Sequence, residues 1–271
     1  MTETAYLQTT RAGERLIHHY GDNVHILSDA WALSAVAKLG HPETDLPTVH
    51  RLLVACYRRL LHAAVEQLPV VGGSWPTRMT QTDQNAKYHG VIVDAQALAI
   101  IVDIARGGMI PGHLFQTELM DILTPENVRV DHLYMQRRVD PDSGAVNGVD
   151  FYGSKIGGPI QDATVFVPDP MGATGSSVAH VLHHYQNDAL GVPRKLVTCH
   201  LIVTPEYLKK VTSEHPDVEI YALRLDRGQS PPEVLAEPPG KRWAEEKGLN
   251  KLDYIIPGAG GLGEVINNAF V

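Results

Sequence analysis

The stretch ATVFVPDPMGATGSSVAHVL, residues 163–182, places a buried strand, a short polar turn and a helix in direct succession. The run ATVFVP is rich in β-branched side chains, which is typical of a strand covered on both faces. Four apolar residues from Val178 to Tyr185 then fall at i, i+3, i+4 and i+7. This spacing predicts a helix, which Gly191 and Pro193 would close.

Two later runs, KLVTCHLIV (195–203) and VEIYALRL (218–225), have the same buried and β-branched character. Helical stretches separate the three strands along the chain. Strands that alternate with helices form a parallel sheet with right-handed crossovers. Such sheets bind ligands beyond the carboxyl ends of their strands. The sequence therefore predicts an α/β fold with a site directly after residue 168.

The turn after the first strand has the composition of a phosphate site. It begins with Asp169 and continues as a Gly/Ser/Thr loop into the helix. Gly172 and Gly175 permit the tight backbone that aims successive amides at an anion, and the helix N-terminus adds partial positive charge. The loop lacks the Gly-Lys-Ser/Thr of a Walker motif. A capped turn without a ligand has a similar pattern, and that alternative stays open.

The other segments are simpler to interpret. PTVHRLLVACYRRLLHAAVEQL (47–68) is an amphipathic helix that starts at a proline and stops before Pro69. Residues 69–90 are predicted to be a loop with a hairpin arm, and GVIVDAQALAIIVDIARGG (90–108) returns to buried apolar character. Residues 227–248 contain four prolines and are predicted to form a surface excursion, with strand-like sequence resuming at Tyr254.

Composition excludes several classes of protein. The 271 residues are 44% hydrophobic, which suits a large α/β core. There is no secretory h-region near the start and no 18-residue apolar run, so we expect a cytoplasmic protein without a membrane partner. A net charge of −8 disfavours nucleic-acid partners. Cys56 and Cys199 lie in apolar contexts and are expected to be buried, reduced thiols.

Near the carboxyl end, YIIPGAGGLGEV spaces three glycines as G-x-G-x-x-G. A dinucleotide site would need a second strand and an acid about 20 residues further on. Only eight residues follow Gly263 (271 − 263), so this interpretation is rejected. The glycines need another explanation.

Several ordered motifs resemble those of the uracil phosphoribosyltransferases, which are type I phosphoribosyltransferases. TVFVPDPMGATGSS resembles their loop for phosphoribosyl pyrophosphate (PRPP), in its Asp-Pro-Met form. ARGGM resembles the family's LRAGL, and HLYMQRRVDPDSGAVNGVDFYGSK resembles its Arg-containing flexible loop. TPEYLKKVTSEHPDVEIYALRLD and GLNKLDYIIPGAGG are similar to its later segments. The resemblance covers most of residues 24–268.

The resemblance implies a role for each matched residue. Asp169 would hold the ribose hydroxyls, and residues 173–177 would receive the 5-phosphate. Arg106 would contact pyrophosphate, and Arg137 or Arg138 would close over it, because guanidinium groups bind phosphate oxygens in bidentate fashion. The implied PRPP and phosphate contacts are Asp169, Met171, Gly172, Ala173, Thr174, Gly175, Ser176 and Ser177, with Lys155 as a weaker candidate.

The resemblance also explains the carboxyl-terminal glycines as a base pocket, in which main-chain groups pair with a pyrimidine's polar edge. The implied base contacts are Tyr254, Ile255, Ile256, Gly258, Gly260 and Gly261. Mg²⁺ would act as cofactor and would be held through PRPP rather than by protein ligands. The expected organisation is one phosphoribosyltransferase domain over residues 1–271, with a helical part at 1–68, a small arm, and a catalytic core and base-binding hood at 92–271.

The expected reaction is uracil plus PRPP to UMP plus pyrophosphate, in a homodimer or higher homo-oligomer. One departure bears on it, because Gly261 stands where the family has an aspartate. Gly-Ser-Ser also replaces Gly-Gly-Ser in the loop, but related transferases vary that middle position. Two alternatives therefore stay open: transfer to a different base, and a nucleotide-sensing relative without turnover.

Overall fold

The computed structural model of the protein describes residues 3–7, 14–139, 146–187 and 191–269. Within that part of the chain, ten strands form one eight-stranded sheet and one separate two-stranded hairpin. The strands are β1 (Val24–Ile26), β2 (Val70–Pro76), β3 (Lys87–Val93), β4 (Ala99–Ala105), β5 (Val128–Val139), β6 (Val146–Lys155), β7 (Thr164–Pro168), β8 (Met171–Gly172), β9 (Lys195–Val203) and β10 (Glu219–Leu225).

The large sheet has the order β1-β10-β9-β7-β4-β5-β6, with β8 paired to β9. All its pairings are parallel except β5 with β6. The three strands predicted from sequence are confirmed as β7, β9 and β10. The α/β fold class is therefore confirmed, and the carboxyl ends of β4, β7 and β9 meet at one edge.

Seven α-helices are described: α1 (Ala30–Leu39), α2 (Leu46–Ala64), α3 (Met109–Leu119), α4 (Ser176–Asn187), α5 (Pro205–Glu214), α6 (Pro232–Leu235) and α7 (Leu262–Asn267). Two hydrophobic cores result, because residues of each strand alternate between the sheet's faces. One core joins the sheet to α1, α2, α3 and α7, and the other joins it to α4 and α5.

Helix α2 shows why the sequence pattern was informative. Asp45 caps it by accepting from the Thr48 N–H at 2.7 Å, and a proline occupies its first turn. A 3₁₀ turn over Val65–Gln67 extends it to the predicted end before Pro69. Leu53, Cys56 and Leu60 are buried along one face. No described helix combines the length and the apolar character that a membrane crossing requires.

The arm hairpin, β2 and β3, is antiparallel from Val70↔Val93 to Pro76↔Lys87. The predicted hairpin is thus confirmed, but its second strand is longer than the sequence indicated. The prediction that buried character resumes at residue 90 is wrong for residues 90–93, because Val91 is 61% exposed on the arm. The buried strand is β4, which starts at Ala99.

The insert, residues 227–248, is not the surface excursion that its prolines suggested. Arg227 is 1% exposed and its guanidinium pairs with Glu246 at 2.7 Å and Glu3 at 2.6 Å. Tyr20 also donates to the buried Glu246 carboxylate. These contacts fasten the insert to the amino-terminal part, which is not wholly helical, since β1 joins the sheet beside β10.

Candidate active site

A cavity of about 750 Å³ opens at the carboxyl edge of β4, β5 and β7. Its walls come from four segments that are distant in sequence: the turn after β4, the β5–β6 hairpin, the turn after β7 and the carboxyl-terminal glycines. The lining residues are Ala105, Arg106, Gly107, Tyr134, Met135, Gln136, Tyr152, Asp169, Pro170, Met171, Ala173, Leu252, Asp253, Tyr254, Ile255, Gly260, Gly261, Leu262, Gly263 and Glu264.

The phosphate loop, residues 169–177, leads from β7 to α4. It lines the cavity through Asp169, Pro170, Met171 and Ala173, whereas Gly172 and residues 174–177 are not part of the lining. Gly175 has φ +80°, a left-handed conformation that glycine adopts without strain. The N–H groups of Thr174, Gly175 and Ser177 donate to no acceptor among the described residues. Such unpaired amides at the start of a helix suit an anion. The Thr174 and Ser176 hydroxyls lie 3.4 Å apart beside them.

The loop's carbonyls, by contrast, are occupied from below. Pro170 O accepts from the Leu201 N–H at 3.1 Å, and Gly172 O accepts from the Thr204 N–H at 3.0 Å. The Thr204 hydroxyl donates to Ala173 O at 2.6 Å. Because β9 and the start of α5 bind these carbonyls, the loop backbone is fixed, and the three unpaired amides named above are available for a ligand.

Arg106 follows β4 and projects from the turn opposite the phosphate loop. It is exposed and has no ion-pair or hydrogen-bond partner among the described residues. The Ala105–Arg106 peptide bond is cis. A Cβ at Gly107 would lie 3.2 Å from Asp169 Oδ1 and 3.3 Å from Pro170 Cδ, so the absence of a side chain lets the two turns approach each other.

The overhanging hairpin, β5 with β6, is where the resemblance placed a flexible loop. Tyr134, Met135, Gln136 and Tyr152 line the cavity from it, and sequence reasoning missed all four. No local pattern marked them, because three of them are consecutive on β5 and alternation along a strand would place neighbours on opposite faces. Arg138 lies 3.6 Å from Asp150 across the hairpin.

Three predicted phosphate contacts on the hairpin are absent from the described lining of the cavity, and Arg138 is one of them. The Arg137 side chain lies outside the described residues, as do residues 140–145 of the predicted loop. Lys155 is exposed at the base of the hairpin, opposite His132, and does not line the cavity. Its role stays a prediction that the geometry does not support.

The base segment, residues 254–264, forms the remaining wall. Tyr254, Ile255, Gly260 and Gly261 line the cavity, as the resemblance implied, but no strand forms there. Leu249 and Ile255 make only an isolated antiparallel bridge, in which Tyr254 O and Ile256 N pair with the opposite chain. The N–H and C=O of Ile255 consequently point the other way, without a partner among the described residues.

Ile256 and Gly258 do not line the cavity. Ile256 donates to Gly248 O at 2.8 Å and accepts from the Gly228 N–H at 3.0 Å. Gly258 donates to Asp226 Oδ2 at 2.8 Å and accepts from Arg224 at 2.9 Å. Their main-chain groups therefore support the segment from behind.

An ionic clamp holds the base segment. Arg224 binds Asp226 through two N–H groups, at 2.6 and 2.8 Å, and both residues also bind Gly258. The Glu206 carboxylate accepts from the Gly248 N–H at 3.0 Å on the neighbouring stretch. Sequence reasoning missed these residues because the main-chain groups that they hold, at Gly248 and Gly258, lie 32 to 42 positions away along the chain.

Glu264 is the unexpected acid of the pocket. Gly261 lacks the carboxylate that the family carries at this position, yet a Cβ built there would collide with the Glu264 carboxylate. Glu264 lies on α7, lines the cavity and has no partner among the described residues. One turn of helix thus brings an acid to the space beside Gly261.

The comparisons with known proteins agree with this geometry. A family model described as uracil phosphoribosyltransferase matches residues 28–234. A uracil phosphoribosyltransferase of Wolinella succinogenes is 25% identical over 222 residues, which are 82% of this chain and 86% of that protein. One from Exiguobacterium sibiricum is 26% identical over 242 residues, 89% of this chain and 96% of its own.

Among solved structures, the AQ2163 protein of Aquifex aeolicus is similar in fold. Its TM-score is 0.65 at 20% identity, and the likeness covers 90% of this chain and 97% of that one. At this identity the likeness concerns the fold alone. The overall fold is therefore shared with a known architecture.

Proposed function

This chain belongs to the uracil phosphoribosyltransferase family, and from that membership we propose that it joins uracil to PRPP, forming UMP and pyrophosphate. The family assignment makes it a pentosyltransferase that uses PRPP. The choice of uracil is the finer proposal. The observation that carries it is one cavity lined by Asp169, Arg106, Ile255 and the glycines of the base segment.

On the PRPP side, we assign Asp169 to the ribose hydroxyls and residues 173–177 to the 5-phosphate. The unpaired amides of the phosphate loop support this assignment, because they are hydrogen-bond donors at the start of α4, where a helix favours an anion. Arg106 would bind pyrophosphate, because its guanidinium has no partner among the described residues and is available. Arg138, together with Arg137, would close from the overhanging hairpin.

On the base side, the Ile255 N–H and C=O offer one donor and one acceptor side by side. A uracil edge presents the complementary acceptor and donor, so main-chain pairing there selects for polarity pattern as well as shape. Tyr254 is half exposed at the cavity mouth and supplies a flat apolar surface. Glu264 adds an acceptor that a base or ribose donor can use.

Chemically, displacement at the anomeric carbon develops positive charge on the ribose, so the transition state resembles an oxocarbenium ion. Asp169 beside the ribose would stabilise that charge, and Arg106 would stabilise the departing pyrophosphate. These charges suffice for the proposed roles, and we propose no covalent intermediate with the protein. The hairpin residues Tyr134 and Tyr152 would exclude water from the reacting centre.

The donor set fits a magnesium ion held mainly by PRPP. The described residues contain no group of three or more His, Cys, Asp or Glu placed to hold a metal. Three carboxylates, from Asp169, Asp253 and Glu264, line the cavity, so a polyphosphate entering it needs a cation. When bound, Mg²⁺ would neutralise pyrophosphate oxygens. Asp169 is the protein group placed to contact it through the ribose.

We also propose a homodimer as the working unit. The arm hairpin exposes apolar side chains, including Val70 and Val91 at 61% each, and a second copy of the chain would cover them. The whole chain, residues 1–271, would act as one phosphoribosyltransferase domain. A cytoplasmic setting is proposed as well, since Cys56 and Cys199 are both buried and free.

The test is a panel of bases incubated with protein, PRPP and Mg²⁺, with pyrophosphate release as the readout. We expect release with uracil, formation of UMP, and loss of both when EDTA removes the metal. Release with another base alone would reject uracil and keep the reaction class. Binding of UMP or PRPP without release for any base would favour the nucleotide-sensing alternative.

A further inference from the structure

Three polar side chains lie fully buried beneath the phosphate loop, and none of them reaches the cavity. They are Thr198 and His200 on β9 and Tyr207 on α5. The Tyr207 hydroxyl is 2.6 Å from His200 Nε2 and 3.1 Å from Thr198 Oγ1. His200 Nδ1 is 2.7 Å from the main-chain oxygen of Asp169. A continuous hydrogen-bonded chain therefore ends on the residue assigned to the ribose.

The chemistry of the end groups fixes every proton in this chain. A carbonyl oxygen only accepts, so His200 Nδ1 must carry the hydrogen that it shares with Asp169. Burial lowers the pKa of His200 to about 4, so the ring is neutral and Nε2 is an acceptor. Tyr207 therefore donates its single hydroxyl proton to Nε2. Its oxygen then accepts from the Thr198 hydroxyl.

The ring of Tyr207 supports the same loop by packing. A Cβ at Gly172 would lie 3.0 Å from Tyr207 Cγ, and one at Gly175 would lie 3.4 Å from its Cδ2. The Tyr207 N–H also donates to Thr204 Oγ1 at 3.0 Å, and that hydroxyl in turn donates to Ala173 O. The ring of Tyr207 thus fixes the distance of the loop from α5. Its hydroxyl fixes the orientation of the Asp169 peptide through His200.

We propose that His200 and Tyr207 are positioning residues for PRPP, which hold the Asp169 peptide and the phosphate loop in their binding geometry through a neutral hydrogen-bond chain. This inference rests on the proposed function. Buried polar groups are destabilising unless they are fully paired, and an apolar core would fill the same space without that requirement. The polar chain is explained by where it ends, on the backbone of the loop.

The principal test is Tyr207→Phe, which keeps the ring against Gly172 and removes only the hydroxyl. It leaves the buried His200 Nε2 and Thr198 hydroxyl unpaired, a change that typically weakens a coupled equilibrium by about fivefold or more. We expect the KM and calorimetric Kd for PRPP to rise by at least about fivefold. The KM for the base should change by less than about twofold, because the base segment has its own supports.

Tyr57→Phe is the matched control. Tyr57 is also a fully buried tyrosine, but its hydroxyl has no hydrogen-bond partner within the part of the chain that the structure describes. Its loss should leave both KM values unchanged. At the other end of the chain, Thr198→Val keeps the shape of the side chain and should raise the KM for PRPP by a smaller factor than Tyr207→Phe.

A second pair of variants separates positioning from packing. His200→Asn retains an amide N–H near the place of Nδ1, whereas His200→Leu retains only volume. We expect the asparagine variant to keep a lower KM for PRPP than the leucine variant. Amide hydrogen exchange of residues 169–177, measured without PRPP, should be faster in Tyr207→Phe and unchanged in residues 254–264.

The outcomes distinguish this inference from the proposed function. If the wild-type protein neither binds nor turns over PRPP, the proposed function fails, and the positioning role fails with it. If the wild type uses PRPP and Tyr207→Phe has an unchanged KM for PRPP, only this inference is overturned. An equal rise in the KM for PRPP and the KM for the base would show that the hydrogen-bonded side chains only stabilise the fold. A lower melting temperature with no change in either KM would show the same.

Discussion

The phosphate loop and the base segment are both irregular, glycine-containing stretches at the same edge of the sheet, but they are held by different interactions. Beneath the phosphate loop the supports are neutral: Thr204, Tyr207 and His200 donate or accept within the core. Behind the base segment they are ionic, with Arg224 bound to Asp226. The main chain of a ligand site can thus be held either by neutral hydrogen bonds or by an ion pair.

A neutral network depends on complete pairing, since each member has one donor or acceptor role and no net charge. An ionic clamp depends on balance, because removing one partner leaves a charge in a poorly solvated place. We therefore expect changes in the clamp to affect folding strongly. Changes in the neutral network should act mainly on the geometry of the loop.

The largest effect is expected from Asp226→Ala. Asp226 is 2% exposed, and its loss leaves Arg224 and the Gly258 N–H without their acceptor. Breaking a buried pair in this way destabilises a protein by about 3–5 kcal/mol. Urea unfolding measures it, and the KM for the base should rise in the folded fraction. Glu237→Ala, which breaks the exposed pair with Lys241, is the control and should not change stability measurably.

A somewhat smaller effect is expected when the pH is lowered, which should reduce the free energy of unfolding. Burial lowers the pKa of His200 to about 4, whereas an unfolded histidine titrates near 6.5. Between these values the unfolded chain binds a proton that the folded chain does not, so stability is complete above pH 6.5 and falls as the pH drops towards 4. The contribution is about 3 kcal/mol. Burial also lowers the pKa of His18, His25 and His215, which act in the same direction.

Urea midpoints measured from pH 8 to pH 4.5 check this expectation. The wild type should lose stability below pH 6.5, and His200→Asn should lose less over the same interval, because it removes the titrating group. A wild-type midpoint that stays constant or rises as the pH falls would contradict the assignment of neutral, buried histidines.

Asp169→Asn and Arg106→Ala test the cavity itself. Each should lower the rate of pyrophosphate release at least tenfold, about 1.4 kcal/mol of activation free energy. Both residues line the cavity and Arg106 is exposed, so stability should change little. The rate and the urea midpoint are measured on the same preparations. Full activity in Arg106→Ala would remove it from the pyrophosphate site.

The smallest expected effect is that of Glu264→Gln. The change keeps the size of the side chain beside Gly261 and removes its charge, so the KM for the base should rise by about two- to fivefold while the KM for PRPP stays constant. Glu126→Gln serves as control, because Glu126 is exposed in the 3₁₀ turn before β5 and does not line the cavity. A change only in the KM for PRPP would place Glu264 on the sugar side.

Local patterns predicted those parts of the fold whose causes are local. The four-residue spacing in α2, the β-branched runs of β7, β9 and β10, and the strand-to-helix turn at Asp169 all follow from periodicity and turn chemistry. Arg106, Ile255 and Gly260, unlike Asp169, were found only because short motifs carry the resemblance. The structure brings them to one cavity.

The remainder depends on contacts between distant residues. The insert contains four prolines, yet its Arg227 is buried by Glu3, 224 positions away. His200 and Tyr207 were included in a strand and a helix without a role, because only the fold brings them beneath Asp169. Glu264 had no predicted role, because its carboxylate reaches the pocket only through the geometry of α7.

The buried cysteines give the molecule a practical property. Burial raises the pKa of the Cys56 and Cys199 thiols, so neither forms the thiolate that reacts with maleimides. A cysteine introduced by Ser154→Cys, exposed on β6, would thus be labelled selectively in the otherwise wild-type chain. A fluorophore attached there would report in real time on the overhanging hairpin as nucleotide precursors bind.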